Sequence, residues 1–265
     1  MKSDIHVEGH TAKKRFGQNF LHDPDVIERI IRAIAPKPGQ TLVEIGPGMG
    51  ALTVPLLARC GQLDVVEIDR DVIPHLRAIC GDHPGLRITQ ADALKLDYRR
   101  FVVDGAPLRL VGNLPYNIST PLLFHLLNQA DVIRDMHFML QKEVVDRMCA
   151  TPEDDAYGRL SVALAARCEV AHLIDVGPGA FKPAPKVHSA VVRLTPRPPA
   201  FEVRDWGSFD RLVAQAFSQR RKTLSNSLKG TATPEDFAAA GIDPKLRAEK
   251  LYAADFARLA NQISR

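Results

Sequence analysis

The stretch Thr41-Leu42-Val43-Glu44-Ile45-Gly46-Pro47-Gly48-Met49-Gly50 constrains this chain more than any other. A mostly apolar, strand-like run passes directly into three closely spaced glycines, and the helix-like Ala51–Cys60 follows. Glycine reaches positive φ without steric cost and lets a ligand approach the backbone. A strand that turns this way into a helix is the repeating unit of a parallel, doubly wound sheet. Leu63–Ile68 reads as the next strand, Leu86–Thr89 and Leu108–Val111 as two more, and Met136–Leu140 and Val187–Leu194 as late ones. The expected fold class is α/β, with a mostly parallel, Rossmann-like sheet.

Helix signals fill the gaps. Asp23-Pro24 offers a capping carboxylate and then proline at the first turn. Val26, Ile27, Ile30, Ile31 and Ile34 then fall on one face. Thr120-Pro121 repeats the signal. Leu194–Pro199 has three prolines in six residues and reads as a linker. Beyond it the chain reads helical, with starts at Thr233-Pro234 and Asp243-Pro244 and a last helix over Ala253–Ile263. Two domains are expected, 1–195 and 196–265, the second smaller and helical.

Composition sets outer limits. With 45% hydrophobic and 25% charged residues, a disordered chain and a fibre are excluded. No run approaches the ~18 apolar residues of a membrane span. Met1–Gln18 lacks the apolar core of a secretion signal, so a cytosolic protein is expected. Cys60, Cys80, Cys149 and Cys168 form no CxxC pair and read as reduced, mostly buried thiols. The nine histidines are scattered, and no metal is expected. Residues 1–195 carry 23 Lys/Arg and 23 Asp/Glu, whereas 196–265 carry 12 and 8. A basic tail on a neutral body suggests a polyanionic partner.

The cofactor end of the sheet leaves one choice open. Gly46, Gly48 and Ala51 satisfy the dinucleotide pattern as well as an S-adenosylmethionine turn. Val65-Val66-Glu67-Ile68-Asp69 places acids about twenty residues past the glycines, where a carboxylate accepts ribose hydroxyls. Glu67 and Asp69 share a strand face by period, so spacing does not choose between them. Asp92, after the third strand, suits an adenine amine.

The Gly112-Asn113-Leu114-Pro115-Tyr116-Asn117 turn carries the reaction chemistry. An aromatic amine is a poor nucleophile because its lone pair is delocalised into the ring. Acceptors on its two N–H bonds favour a pyramidal nitrogen and localise that pair. The Asn113 side-chain oxygen and the Leu114 carbonyl can serve, with Pro115 stiffening the backbone. Tyr116 can stack on the base, worth about 1–3 kcal/mol. A sulfonium methyl donor is already activated, so alignment and water exclusion suffice.

Together these motifs resemble the small-subunit ribosomal RNA adenine N6,N6-dimethyltransferases, which use S-adenosylmethionine. The resemblance runs from about Lys13 to the C-terminus. It rests on Lys14–Leu21, EIGPGMG, VVEID, QADAL, GNLPYNIS and the segment Phe181–Ser189, which is similar to the family's FxPxPxVxS. It implies that Asn19, Leu21, Gly46, Gly48, Glu67, Asp92 and Asn113 contact the cofactor, which selects Glu67 over Asp69. Asn113, Leu114, Tyr116 and Phe181 would be catalytic, with Phe181 lining the target pocket opposite Tyr116. Arg220, Arg221 and Lys222 would bind RNA, with Lys13, Lys14 and Arg15 as a second cluster. The implied substrate is a pair of adjacent adenines in a hairpin loop near the 3′ end of 16S rRNA in the small ribosomal subunit. A monomer acting in ribosome biogenesis is expected. Competing readings are a large-subunit (23S) rRNA adenine methylase conferring macrolide resistance, a non-catalytic RNA-binding assembly or transcription factor on this fold, and a dinucleotide-dependent oxidoreductase.

Overall fold

The computed structural model describes residues 6–7, 10–11 and 19–263. The Lys13, Lys14 and Arg15 cluster and the start of the N-terminal motif through Gln18 lie outside them. The chain divides into two compact units, residues 1–145 with 171–196 and residues 146–170 with 197–265.

In the first unit, α1 (Pro24–Ile34) starts where its local chemistry dictates. The Asp23 carboxylate accepts the Asp25 and Val26 backbone N–H groups at 2.9 and 3.1 Å. Ile30, Ile31 and Ile34 are buried. The seven-stranded sheet comprises β1 (Leu42–Ile45), β2 (Leu63–Glu67), β3 (Leu86–Gln90), β4 (Leu108–Asn113), β5 (Ile133–Gln141), β6 (Cys168–Val176) and β7 (Ser189–Pro196), in the order β3-β2-β1-β4-β5-β7-β6. The β1–β2, β1–β4, β2–β3 and β4–β5 pairs are parallel, and β5–β7 is antiparallel. All four residues of β1 are buried, as a central parallel strand covered on both faces requires. The chain leaves β1 toward β2 on one side and returns as β4 on the other. That reversal opens a crevice beyond the carboxyl ends of β1 and β4. Helices α2 (Thr53–Cys60), α3 (Ile73–Ile79) and α4 (Ser119–Leu127) follow β1, β2 and β4. Helix α4 begins at Ser119, so Thr120 lies inside it rather than capping it.

The second unit contains α6 (Arg159–Ala165), α7 (Trp206–Phe217), α8 (Leu224–Ser227), α9 (Pro234–Ala240) and α10 (Ala253–Ile263); α5 (Lys142–Cys149) spans the division near residue 145. A single boundary at 195/196 leaves residues 146–170 with the sheet. In the structure Tyr157, Val162 and Ala166 join Phe209, Leu212 and Phe256 in one apolar core. Arg167 also reaches Asp210 at 2.8 and 2.9 Å and lies 4.0 Å over the Trp206 ring. Buried apolar area gathers these segments across the sequence. The charge balance shifts with them. Residues 146–170 and 197–265 together hold 15 Lys/Arg and 13 Asp/Glu, so the positive excess is not confined to this unit.

Two further expectations change. Asp243-Pro244 starts no helix; the Asp243 carboxylate accepts the Lys245 N–H at 2.9 Å and closes a turn instead. No disulfide joins the four cysteines, but Cys60 and Cys168 alone are buried, Cys80 is half-buried and Cys149 exposed. Among the described residues no helix is long and apolar enough to cross a membrane.

Candidate active site

A cavity of about 270 Å³ lies at the carboxyl ends of the parallel strands. Its walls come from Asn19–Leu21, the glycine turn after β1, the ends of β2 and β3, and the turn after β4. Asn19, Leu21, Gly46, Gly48, Glu67 and Asp92 line it, and Asn113, Leu114 and Tyr116 close the end beyond β4.

The glycine turn is a cradle that side chains would fill. Gly46 has φ +66° and donates its N–H to the Val66 carbonyl at 2.9 Å, tying the turn to β2. Gly48 has φ +53°, and a Cβ there would sit 3.3 Å from the Phe20 ring. Across the turn, Glu67 is nearly fully buried and its Oε1 accepts the Asp69 N–H at 2.8 Å. Burial pushes the Glu67 carboxyl above its ordinary range, against the pull of nearby backbone donors. Asp69 lies past the end of β2, outside the cavity lining, and its Oδ1 accepts the Asp71 N–H at 3.2 Å. Asp92 uses Oδ1 to accept the Leu94 N–H at 3.0 Å, which fixes its turn at the cavity edge.

The Asn113 amide is oriented by its neighbours. Its Nδ2 donates to the Asn19 carbonyl at 3.1 Å, which leaves Oδ1 as the acceptor. The Leu114 N–H donates to the Met139 carbonyl at 3.1 Å and pins the turn to β5. The half-buried Tyr116 has its hydroxyl 2.8 Å from the Ser189 hydroxyl on β7. Burial raises the Tyr116 hydroxyl above its usual value, and the Ser189 bond opposes that rise.

Phe181 is not part of the cavity lining. Its side chain is 2% exposed and sits in the sheet's apolar core. Its backbone pairs antiparallel with Leu21, and Lys182 pairs with Phe20. His22 adds an N–H bond to the Ala180 carbonyl at 2.9 Å. The segment around Phe181 therefore clamps Asn19–Leu21 over the cavity instead of presenting a ring to a base. Arg220, Arg221 and Lys222 lie in the turn after α7, not on a helix, and all three are exposed. Arg220 is held by Glu249 at 3.1 Å and donates to the Asp155 carbonyl.

Three positions matter that sequence reading missed. Glu44, inside β1, lines the cavity at 1% exposure and accepts the Thr53 hydroxyl at 2.7 Å. Burial pushes its carboxyl up to about 8; the Thr53 bond opposes this and the Glu67 charge adds to it. The one signal was a carboxylate in an otherwise apolar strand. Gly112 passes so close to the Ile45 carbonyl that an added Cβ would clash with it. Ser189, fully buried, holds Tyr116.

Glu44 makes stability depend on pH with a definite sign. Its value rises from the ordinary 4.5 to about 8 on folding, so between these limits the folded protein binds more protons than the unfolded chain. Its contribution to stability therefore falls as pH rises through that window and levels off above it. Without cofactor, Glu44→Gln is expected to gain Tm relative to the unsubstituted protein as pH goes from about 5 to about 8. A Tm difference that stays flat over this range would show a carboxyl ionised throughout.

The sequence profile described as ribosomal RNA adenine dimethylase matches residues 9–265. A relative from Pseudomonas aeruginosa, ribosomal RNA small subunit methyltransferase A, is 57% identical over 256 residues, 96% of each chain. Its counterpart from Marinobacter nauticus is 54% identical over 257 residues, 97% of this chain and 93% of that one. Among solved structures, a dimethyladenosine transferase from Plasmodium falciparum aligns with TM-score 0.75 and 26% identity, covering 91% of this chain and 95% of that one. The 23S rRNA methyltransferase ErmE aligns with TM-score 0.70 and 26% identity, covering 93% and 100%. A doubly wound sheet, a glycine cradle walled by acids, an oriented amide beside a tyrosine and a full-length match converge: this chain belongs to the ribosomal RNA adenine dimethylase family.

Proposed function

We propose that the protein transfers methyl groups from S-adenosylmethionine to N6 of two adjacent adenines near the 3′ end of small-subunit rRNA. The observation that carries this reading is the Asn113 amide, whose nitrogen is spent on the Asn19 carbonyl and whose oxygen is left to accept from an amine. S-Adenosylmethionine supplies a methyl group on a sulfonium that needs no further activation. The residues present fit such a group. Gly46 and Gly48 leave room against the backbone, and Glu44, Glu67 and Asp92 offer acceptors to a cationic molecule bearing hydroxyls and an amine.

In this reading Asn113 Oδ1 and the Leu114 carbonyl take the two N–H bonds of an adenine amine. Doing so draws the nitrogen lone pair out of the ring. Tyr116 supplies a stacking face. The apolar lining contributed by Phe20, Leu21, Ile45 and Leu52 excludes water. No strong base is required, because the proton leaves a nitrogen made acidic by alkylation. Unstacked loop adenines suit the pocket, since little pairing energy is lost on extrusion. The small-subunit relatives at 54–57% identity favour this substrate over that of ErmE, at 26%.

One chain carries every residue this reading needs, so the proposal is for a monomer. A ribosomal substrate supports a cytoplasmic location. The test is mass spectrometry of rRNA fragments after incubation with unmethylated small subunits and S-adenosylmethionine. Two methyls on N6 of each of two neighbouring adenines are expected. Methylation confined to large-subunit rRNA would move the protein to the macrolide-resistance activity. No transfer to either would make it an RNA-binding factor.

Two smaller effects follow from the geometry. Tyr116→Ala is expected to slow transfer by about 10- to 100-fold, the loss of one base stack. Tyr116→Phe keeps the ring and stays within several-fold in rate, but strands the buried Ser189 hydroxyl and costs about 1–3 kcal/mol in stability. A Tyr116→Phe rate as low as that of alanine would mean the hydroxyl takes part in the reaction. In the helical unit, Arg221→Ala is expected to reduce the slope of log K against log salt for RNA binding by roughly 0.7–0.9, one phosphate contact, with cofactor affinity unchanged. An unaltered slope would remove Arg221 from the RNA interface.

A further inference from the structure

The positive excess of the chain is shared between its two units, and Arg220 of the tail cluster is engaged internally. A polyanionic substrate therefore has reason to meet charge in the sheet-bearing unit as well. Segment 181–189 stands out there. One end is fixed to the cavity wall by the pairing of Phe181 with Leu21 and Lys182 with Phe20. The other end is fixed by the Ser189 hydroxyl, 2.8 Å from that of Tyr116. Between these anchors Lys182, Ala184, Lys186, Val187 and His188 are exposed. The segment holds two lysines and a histidine and no acid. Pro183 and Pro185 limit its backbone freedom, so little entropy is lost on docking. Neither Lys182 nor Lys186 has a carboxylate partner among the described residues. Lys142, whose N–H donates to the His188 carbonyl at 2.9 Å, is by contrast paired with Asp175 at 3.2 Å. Glu143 is the exposed acid next to it in sequence.

We infer that Lys182 and Lys186 form a phosphate-binding strap that grips the RNA backbone beside the adenine seated on Asn113 and Tyr116. The inference rests on the proposed adenine transfer for its location, and on chain geometry for its charge. A strap tied at both ends to the cavity wall couples RNA contact to the site itself. Phosphate contacts of this kind are indifferent to sequence and fix register, leaving base choice to the pocket.

The test is equilibrium binding of an RNA hairpin with two adjacent loop adenines, measured across salt concentrations with the full-length protein. For Lys182→Gln/Lys186→Gln the slope of log K against log salt is expected to fall by about 1.4–1.8, two phosphate contacts. The matching loss of affinity is roughly 25- to 60-fold at 0.1 M salt, shrinking toward 1 M. Affinity for S-adenosylhomocysteine is expected to stay unchanged. Lys186→Gln alone, outside any strand, is expected to give about half the slope change. Lys37→Gln, exposed in the loop leading into β1 at the opposite end of the strands, is expected to give none. An unchanged slope in the double variant would overturn the inference. So would an equal change in Lys37→Gln, which would report net charge alone. A parallel loss of cofactor affinity would reduce the strap to a clamp on Asn19–Leu21 and overturn it too. A lysine-dependent slope together with no methyl transfer to small-subunit rRNA would support the strap and overturn the activity instead.

Discussion

Replacing Asn113 by alanine is expected to lower the single-turnover rate of methyl transfer by on the order of 10²–10³-fold, the range for removing one positioned polar contact to a reacting group. The reason is geometric. In the proposed reaction Oδ1 accepts from the amine and localises its lone pair, and Nδ2, held by the Asn19 carbonyl at 3.1 Å, fixes the amide for that role. Alanine also frees Asn19 from the β4 turn. Affinity for S-adenosylhomocysteine is therefore expected to drop about tenfold, the worth of one hydrogen bond of ~1.4 kcal/mol. Rapid-quench kinetics with saturating cofactor separates the two effects. A rate within threefold of the unsubstituted protein would exclude the amide from the chemistry. Asn113→Asp probes the same atom differently. A carboxylate binds the N–H groups more strongly than the neutral amide and should hinder the rotation that a monomethylated amine needs for its second methyl. The expected result is a higher share of monomethyladenine, and an unchanged product ratio would remove that idea.

The second large effect is expected at a residue with no side chain. Gly112 lies one position before Asn113, and a Cβ there would meet the Ile45 carbonyl, a backbone atom in the paired strand. Backbone cannot swing aside as a side chain can, so Gly112→Ala must push the ends of β1 and β4 apart. Over-packing of this kind costs about 1–3 kcal/mol, which for a chain of this size lowers Tm by roughly 2–12 °C. The same displacement moves the Asn113 turn relative to the glycine cradle after β1. A shift of ~1 Å between positioned groups costs about 10²-fold in rate. Gly179→Ala is the control, because nothing lies within 4 Å of its Cβ position. Calorimetry and single-turnover kinetics on both variants check this. A Gly112→Ala protein with native Tm and rate would show that the two strand ends need not be so close.

Some elements were legible because their causes are local. Asp23, Pro24 and the isoleucine face specify α1 within a dozen residues, and the cap bonds appear where the pattern places them. The strand–glycine–helix unit around Gly46 was equally readable, since positive φ is a property of the residue. Strand β6 was not. Its polar and exposed positions give no clean alternation, because it lies at the sheet edge. The pairing of Arg220 with Glu249 and the joining of residues 146–170 to the helical core are contacts between distant segments. No local pattern encodes them.

The glycine cradle and the Asn113–Tyr116 turn can therefore be read from residue order alone, because each is a short segment whose chemistry travels with it. Which acid faces the cavity cannot be read from spacing, and only the family resemblance selected Glu67. Period-two reasoning treats Glu67 and Asp69 alike, and only the point where β2 ends sends one to the wall and the other into a turn. Phe181 makes the same point with the opposite result. Its motif marks it, but its pairing with Leu21 turns the ring into the core, because burying an aromatic face there outweighs presenting it to solvent.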